Sequence, residues 1–487
     1  MFFKNKNLFK VTAITSFLLL VDVFAYEGLI MISPELSPDF YLGFTLAALT
    51  DFPAAVLFIL LINRIGRKRS IGLFHLLAGT LLLMSTLLLH TSLSDRIPGN
   101  FWISVVLSLL GRLTLSAGYS SVLLYVPELF PTSIRNTGYA LALLMSYFAS
   151  MVSPYSRSLS KLFPWAPNVV FGVMCVTVPL AIRRLPETMN KELSQTLADM
   201  ERNMRKAMKK AEYCDSSIVL SRGSVKMDQG EVIDNVFIAL KWNGFYQVSR
   251  TAILLLSLVN NAFTAASVVF IGKAVNFNCR RLKSLSVKNV TYDLSLSNSK
   301  VPFLINYTEC SVDVRNGSDL IFTSNCSDGY EYADSMTSSF VAEWDLVCDK
   351  ESYSDISQGV VVLGEMFGCL SLTRFADRCG RKVTYIITSV MYFAANMLAA
   401  FSISFAYFLV FRFITGVFDA CCQQLSYIML IEMMPTTHRA LPQKLSSFIW
   451  PISLIFLCLV AYLTRDLSWH FTHICLSMFA IHSIFLW

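Results

Sequence analysis

The sequence predicts an all-α polytopic membrane protein built from two bundles of six transmembrane helices. Hydrophobic residues make up 54% of the 487 residues and charged residues only 15%, whereas soluble domains carry about 25% charged residues. Twelve apolar runs each approach the roughly 20 residues that a helix needs to cross the hydrocarbon core. Two different turn motifs also occur twice, once in each half of the chain, which indicates a duplicated unit.

The twelve runs form two groups of six on either side of a polar segment. That segment is rich in charged residues, so it cannot lie in hydrocarbon. We predict one bundle at 1–182, a cytoplasmic linker at 183–241 and a second bundle at 242–487. The predicted helices are 11–32, 41–62, 71–90, 101–125, 136–155, 166–182, 250–271, 356–375, 383–401, 404–430, 445–463 and 471–487.

The placement of the basic residues predicts the topology. Lys and Arg cluster near the N-terminus, after the second helix of each group and in the linker. With both termini in the cytoplasm, all these clusters face the cytoplasm, as the excess of Lys and Arg in cytoplasmic loops requires. The net charge of +7 therefore reflects orientation in a lipid bilayer, and we expect no nucleic-acid partner.

A long polar loop at 272–356 is predicted to face outward. It carries four of the twelve cysteines, from which we expect two disulfides, and three connectivities are open. It also carries four N-x-S/T sequons, so we expect glycosylation and a location in the plasma membrane. The cysteines are Cys279, Cys310, Cys326 and Cys348, and the sequon residues are Asn289, Asn306, Asn316 and Asn325.

The repeated motifs predict a network of charges at the cytoplasmic turns. The strings NRIGRK at 63–68 and DRCGRK at 377–382 follow the second helix of each group, and a glycine at the tight turn suits both. The strings ELFPTSIR at 128–135 and EMMPTTHR at 432–439 follow the fourth helix and supply acidic partners. The predicted cytoplasmic gate comprises Arg64, Gly66, Arg67, Glu128, Arg135, Asp377, Arg378, Gly380, Arg381, Glu432 and Arg439.

These segments resemble the organic cation/anion transporter family (solute carrier family 22) of the major facilitator superfamily. The second bundle is similar to the family's first half, with GFYQVSR at 244–250, EWDLVCDKE at 343–351 and DRCGRK. The first bundle is similar to the family's second half, with NRIGRK, YVPELFPTSIRNTGYA at 125–140 and RLPETMNKELSQTLADME at 184–201. The resemblance covers nearly the whole chain. It implies a transporter of small organic ions that works by alternating access, and not an enzyme.

The two halves stand in the opposite order to that of the family. One interpretation is a transporter whose halves still pair. A second is a non-transporting product that joins the back half of one transporter gene to the front half of a neighbouring copy. A facilitator of another solute, such as a sugar, is a further alternative.

Polar residues inside the predicted helices indicate a substrate site, because ionisable groups in a membrane are costly. Asp22 and Tyr26 lie four residues apart, on one face of the first helix. At the position of Tyr147, cation carriers of the family tend to have Asp and anion carriers Arg, so the charge of the substrate stays open. The candidate substrate-binding residues are Asp22, Tyr26, Asp51, Tyr147, Asn260 and Gln423.

The sequence contains no motif that predicts catalysis, a cofactor or a metal. It has no phosphate-binding loop, no clustered His and Cys spacing, and no arrangement of Ser, His and Asp typical of a hydrolase. We expect a small organic ion and the lipid bilayer as partners. The coupling ion is left open.

Overall fold

A computed structural model describes residues 5–90, 100–131, 134–189, 244–281, 284–287, 290–293, 304–308, 310–316, 319–326, 328–333, 335–434 and 441–481. The predicted gate residue Arg439, the sequon residue Asn289 and the linker beyond residue 189 lie outside these ranges. Arg135, Asp377 and Asn316 are described by their backbone.

Within its described residues the first bundle contains eight helices; seven of them form six spans, and α7 is a short helix between the last two. Helices α2 and α3 make one span, Phe40–Ile62, with a break at Thr50. The break lies where Pro53 lacks the N–H that would continue the helix. The helices are α1 Lys6–Ile32, α2 Phe40–Leu49, α3 Asp51–Ile62, α4 Arg67–His90, α5 Asn100–Leu129, α6 Arg135–Val152, α7 Tyr155–Leu162 and α8 Ala166–Ile182.

The second bundle supplies six further spans and one short helix in the outer loop. Its helices are α9 Phe245–Ile271, α10 Phe340–Glu343, α11 Ser352–Cys379, α12 Arg381–Ala400, α13 Phe405–Glu432, α14 Leu441–Leu463 and α15 Trp469–Met478. Among the described residues, nine helices are long and apolar enough to cross a membrane, and three shorter apolar helices complete the twelve. The predicted multi-pass architecture is confirmed.

The outer loop adds short strands that the sequence pattern did not predict. Strands β1 and β7 pair, β2 and β3 pair, and β4, β5 and β6 form a three-stranded sheet, all antiparallel. Disulfides join Cys279 to Cys326 and Cys310 to Cys348, which selects one of the three connectivities. The strands are β1 Phe277–Cys279, β2 Ser284–Val287, β3 Val290–Asp293, β4 Leu304–Tyr307, β5 Ser311–Asn316, β6 Asp319–Asn325 and β7 Tyr330–Tyr332.

The two bundles meet through equivalent helices. The second span of the first bundle, α2 with α3, packs on α14, the fifth span of the second bundle. Conversely α6, the fifth span of the first bundle, packs on α11, the second span of the second bundle. Each bundle therefore offers the same two spans to its partner, as expected for a duplicated unit.

The two ends of the molecule are distinct. We call the end with the disulfide-bonded loop the outer end, and the end with Gly66 and Gly380 the inner end. Both glycines adopt positive φ angles, 102° and 90°, in which other residues are strained. The glycine predicted in each repeated turn is therefore required by the backbone.

Candidate functional site

A buried polar cluster lies inside the first bundle. The hydroxyl of Tyr26 on α1 donates a hydrogen bond to Oδ2 of Asp51 on α3, at 2.7 Å. The guanidinium of Arg112 on α5 contacts the same oxygen at 3.3 Å and donates from Nε to the carbonyl oxygen of Ala47 at 3.0 Å. Because Arg112 neutralises Asp51 and also faces the Tyr26 ring at 5.1 Å, this cluster carries no net charge.

Trp450 on α14 connects this cluster to the second bundle. Its indole Nε1–H donates to the hydroxyl oxygen of Tyr26 at 2.7 Å. The ring of Tyr119 lies 5.5 Å from that of Tyr26 on the other side. Trp450 and Tyr119 are partly buried, and both contact Tyr26. Trp450 is not among the site residues predicted from the sequence.

Asp22 does not join Tyr26 and Asp51. Its Oδ1 lies 2.6 Å from Nε2 of His75 on α4, and both side chains are fully buried. The sequence analysis set the histidines aside because they form no cluster. A single histidine within an apolar span was the signal that could have selected His75, because such residues are rare in hydrocarbon.

A second polar chain lies in the second bundle. Gln423 on α13 donates to the amide oxygen of Asn261 on α9 at 3.2 Å, and Asn261 donates to Oδ2 of Asp419 at 3.1 Å. Asn260 is buried, and its backbone carbonyl accepts from the hydroxyl of Tyr392 at 3.3 Å. The side-chain amide that contacts the carboxylate of Asp419 is therefore that of Asn261, and not that of the predicted Asn260.

The acidic groups of the two bundles approach each other at the interface. Glu365 on α11 lies within electrostatic range of Asp419, of Glu27 on α1 and of Arg412. Arg412 also donates to Oε1 of Gln358 at 2.7 Å. Glu365 thus lies in range of acidic groups from both bundles, Asp419 in its own and Glu27 in the other, and Arg412 is in range of Glu365 and Asp419.

Two further residues lie at this interface: Tyr147, which the sequence predicted for the site, and Glu27, which it did not. Tyr147 on α6 lies next to Cys369 and in electrostatic range of Glu365 and Asp419. Glu27 accepts from the hydroxyls of Ser150 and of Ser153, the latter at 3.1 Å. The predicted substrate residues therefore fall into three groups. Tyr26 binds Asp51; Gln423 and Tyr147 lie near the acidic groups; and Asp22 and the Asn260 side chain join neither set.

Among the described side chains at the inner end, each bundle has one ion pair, and the two pairs occupy equivalent positions. Arg67 pairs with Glu128, and Arg381 pairs with Glu432. The first pair is the less exposed, at 18% and 17% against 36% and 51%. Arg64 and Arg378, which were also predicted for this network, are exposed.

The first residues after α8 reinforce the first of these pairs. Oε1 of Glu187 accepts from the backbone N–H of Arg67 at 3.0 Å, and thus caps the start of α4. The side chain of Lys68 donates to the carbonyl oxygen of Leu185 at 2.7 Å, and Thr188 donates to Glu128 at 2.8 Å. The start of the predicted linker is therefore docked on the first bundle.

The outer end is held together by contacts between the bundles. The hydroxyl of Ser158 on α7 donates to Oδ2 of Asp355 on α11 at 2.6 Å, and Lys161 pairs with Glu351. Phe270 on α9 packs against Phe44, with ring centroids 4.8 Å apart. These contacts close the outer end of the space between the bundles.

Comparison with known proteins identifies this architecture. The sequence pattern of the sugar (and other) transporter family matches residues 8–199 and 290–487. The chain belongs to this family. The two matched stretches contain both repeated turns and both inner-end ion pairs.

Curated relatives of this family member include proteins of solute carrier family 22. Solute carrier family 22 member 2 of Homo sapiens is 34% identical over 189 residues, which is 38% of this chain and 32% of that protein. Organic anion transporter 3 of Oryctolagus cuniculus is 31% identical over 199 residues, 41% of this chain and 35% of that protein. The match thus spans about a third of the length of these relatives.

Solved structures show the same fold over the whole length of the family member. The D-xylose-proton symporter aligns over 99% of this chain and 98% of its own, with a TM-score of 0.58 and 12% identity. The human organic anion transporter MFSD10 aligns over 99% of both chains, with a TM-score of 0.55 and 11% identity. The major facilitator fold predicted from the repeats is confirmed.

Proposed function

We propose that the chain transports small organic cations across a membrane by alternating access. One observation carries the choice of charge: Glu365 approaches Asp419 in its own bundle and Glu27 in the other, and among the described residues Arg412 is the cation in range of Glu365 and Asp419. A cation placed among these carboxyl groups would stabilise their ionised form, because the Coulomb attraction between opposite charges is large away from bulk water. The printed name of one relative, organic anion transporter 3, supports an organic ion as substrate, and the choice of a cation rests on the acidic groups alone.

Aromatic residues at the same level suit an organic ion. Tyr119 and Trp450 both contact the ring of Tyr26, and we call these three rings the aromatic layer. Tyr119 is in electrostatic range of Glu27, and Tyr147 is in range of Glu365 and Asp419. Aromatic faces attract cations by about 0.5–2 kcal/mol and also bind apolar surface. We assign substrate binding to the acidic groups together with this layer.

The arrangement of the two ends supports alternating access. The outer end is closed by direct contacts between bundles, whereas the inner-end ion pairs lie within each bundle. Rocking of the bundles about the interface of α6 with α11 and α2/α3 with α14 would open one end while it closes the other. In this proposal the inner-end pairs, with the predicted gate residues around them, hold each turn rigid during that motion. The bundles at 1–182 and 242–487 pair despite their order in the chain.

Uptake of labelled tetraethylammonium and labelled benzoate by cells that express the chain tests the proposal. We expect saturable uptake of the cation above that of the anion. Glu365→Gln and Asp419→Asn should each raise the KM for tetraethylammonium about tenfold, equivalent to about 1.4 kcal/mol. Asp466→Asn is the matched control, because this aspartate is 88% exposed at the outer end. Surface-delivered protein that takes up neither ion would contradict the proposal and favour the non-transporting fusion.

A further inference from the structure

The buried pair of Asp22 and His75 lies outside the proposed substrate site. Oδ1 of Asp22 and Nε2 of His75 are 2.6 Å apart, and neither side chain is exposed. Among the described residues, the other carboxylate oxygen, Oδ2, has no hydrogen-bond partner. The two groups therefore depend on each other.

The hydrogen bond made by Nδ1 of His75 determines whether Nε2 carries a hydrogen. Nδ1 of His75 lies 2.8 Å from the backbone carbonyl oxygen of Ile71. A carbonyl oxygen can only accept a hydrogen bond, so the hydrogen of the neutral ring stands on Nδ1. In that tautomer Nε2 carries a lone pair. The short contact with Asp22 then requires one more proton between Nε2 and Oδ1.

That proton gives the pair zero net charge, whichever atom holds it. On Nε2 it makes an imidazolium beside a carboxylate, and on Oδ1 it makes a neutral acid beside a neutral ring. Without it, two lone pairs face each other at 2.6 Å and a carboxylate is left uncompensated in the interior of a membrane protein. Removing one partner of a buried pair is strongly destabilising, because the remaining charge is left uncompensated.

In the part of the chain that the structure describes, the neighbouring elements supply no cation that could replace this proton. The titratable groups that face the pair are Tyr119 on α5 and Cys175 on α8, both uncharged in their ordinary state. Gly118 on α5 leaves the room that the His75 ring occupies, because a Cβ there would lie 2.8 Å from Cε1. The remaining nearby groups are Tyr26 and Glu27 on the same helix, Tyr139 on α6 beside Tyr119, and Asp51 with Arg112, which bind each other.

We propose that Asp22 and His75 together bind one proton that the chain exchanges in each transport cycle, so that the coupling ion is H⁺. The inference rests on the proposed transport function. In the loaded state the proton is shared between Oδ1 and Nε2. In the empty state it has passed to water on one side of the membrane, leaving a carboxylate and a neutral imidazole. No other bond is made or broken.

The position of Asp22 connects proton binding to the motion of the bundles. Asp22 lies one turn before Tyr26 on the same face of α1. Tyr26 in turn binds Trp450 of the other bundle. A rearrangement that breaks the contact with Trp450 would shift this face of α1 and expose the pair, and substrate near Tyr26 would respond to whether the proton is bound.

Proteoliposomes with an imposed pH gradient test the coupling. Coupling of one proton to one tetraethylammonium ion should change the steady-state accumulation of the cation by up to about tenfold per pH unit. Asp22→Asn should lose this response, because the introduced amide donates to Nε2 at any pH and needs no proton. Each response is normalised to the counterflow of the same variant, so slower turnover alone does not count. His470→Gln is the matched control, since it breaks a similar pair with Glu343 at the outer end.

A wild-type protein that shows counterflow but ignores the gradient, or an Asp22→Asn variant that responds like wild type, would overturn the inference and leave the proposed function standing. Absence of counterflow would instead count against the proposed function. The proton is then tested without transport, by the melting temperature of purified protein against pH. Above about pH 6.5 the unfolded chain no longer protonates histidine, so the wild-type folding equilibrium should weaken by up to about tenfold per pH unit relative to Asp22→Asn. Parallel curves would overturn the proton site.

Discussion

The indole N–H of Trp450 donates to the hydroxyl oxygen of Tyr26 at 2.7 Å, and this bond joins the two bundles beside the proposed substrate site. The same hydroxyl donates to Asp51 at 2.7 Å, so it has one hydrogen-bond partner in each bundle. Tyr26 therefore links Trp450 of the second bundle to the pair of Asp51 and Arg112 in the first.

A double-mutant cycle should detect this bond. Tyr26→Phe and Trp450→Phe each remove one partner and keep an aromatic ring, so each should lower the free energy of unfolding by about 1 kcal/mol. Because both remove the same bond, the double variant should lose about 0.5–1.5 kcal/mol less than the sum of the two single losses. Unfolding of purified protein in detergent measures these values.

Trp469→Phe provides the control for this cycle. Trp469 donates to Glu343 within the second bundle, far along the chain from Tyr26. Its effect should add to that of Tyr26→Phe. Additive effects of Tyr26→Phe and Trp450→Phe would contradict the bond between the bundles.

The inner-end ion pairs predict a charge-swap rescue. Arg381→Glu and Glu432→Arg each place two like charges together, and each should lower the uptake rate severalfold. The double variant restores the pair and should recover most of the rate. Glu128→Gln should cost more than Glu432→Gln, because the pair with Arg67 is less exposed and exposed pairs are worth only about 0–1 kcal/mol. Failure of the double variant to recover would argue against a role for pairing.

The outer closure predicts a reversible cross-link. Ser158 and Asp355 belong to different bundles and are 2.6 Å apart at their side-chain oxygens. Oxidation of the Ser158→Cys/Asp355→Cys variant should lock the outer end and abolish uptake, and a reductant should restore it. Each single cysteine variant should transport in both conditions. Uptake that persists in the cross-linked protein would show that the outer end need not open.

Peptide mapping without reduction should recover the pairs Cys279–Cys326 and Cys310–Cys348. These bonds close loops with sequence separations of 47 and 38 residues, so the loss of either should destabilise the fold of the outer loop by about 3–4 kcal/mol. Peptides that link Cys279 to Cys310 would contradict the fold of the loop.

The sequon residues Asn306 and Asn325 are exposed, so we expect them to carry glycans. Glycosidase treatment should therefore lower the apparent mass of the protein.

Much of the fold was predictable because it depends on long apolar runs and on turns with glycine at fixed places. Gly66 and Gly380 could be selected from their strings alone, since only a positive φ explains glycine at both turns. Contacts between residues of different bundles could not be predicted from the sequence. Trp450 resembles any lipid-facing aromatic residue in the sequence, and only the packing of α14 on α2 and α3 brings it to Tyr26.

The site shows the same limit for charged residues. Asp22 and Tyr26 share a helix face, and the sequence analysis placed both in one site on that ground. A difference of one turn is enough to direct Asp22 to His75 on α4 and Tyr26 to Asp51 on α3. Glu365 and Asp419 lie within apolar runs of the sequence, but the approach of Glu365 to Glu27 follows from the pairing of the bundles.

Counterflow in proteoliposomes tests most directly whether these two bundles, in this order in the chain, form one transporter. Vesicles that contain the purified protein are loaded with unlabelled tetraethylammonium and diluted into a trace of the labelled ion. A single site that faces each side in turn predicts transient accumulation of label above the level reached without preloading. Equal label in loaded and unloaded vesicles, with protein that is monodisperse and melts cooperatively, would contradict the account.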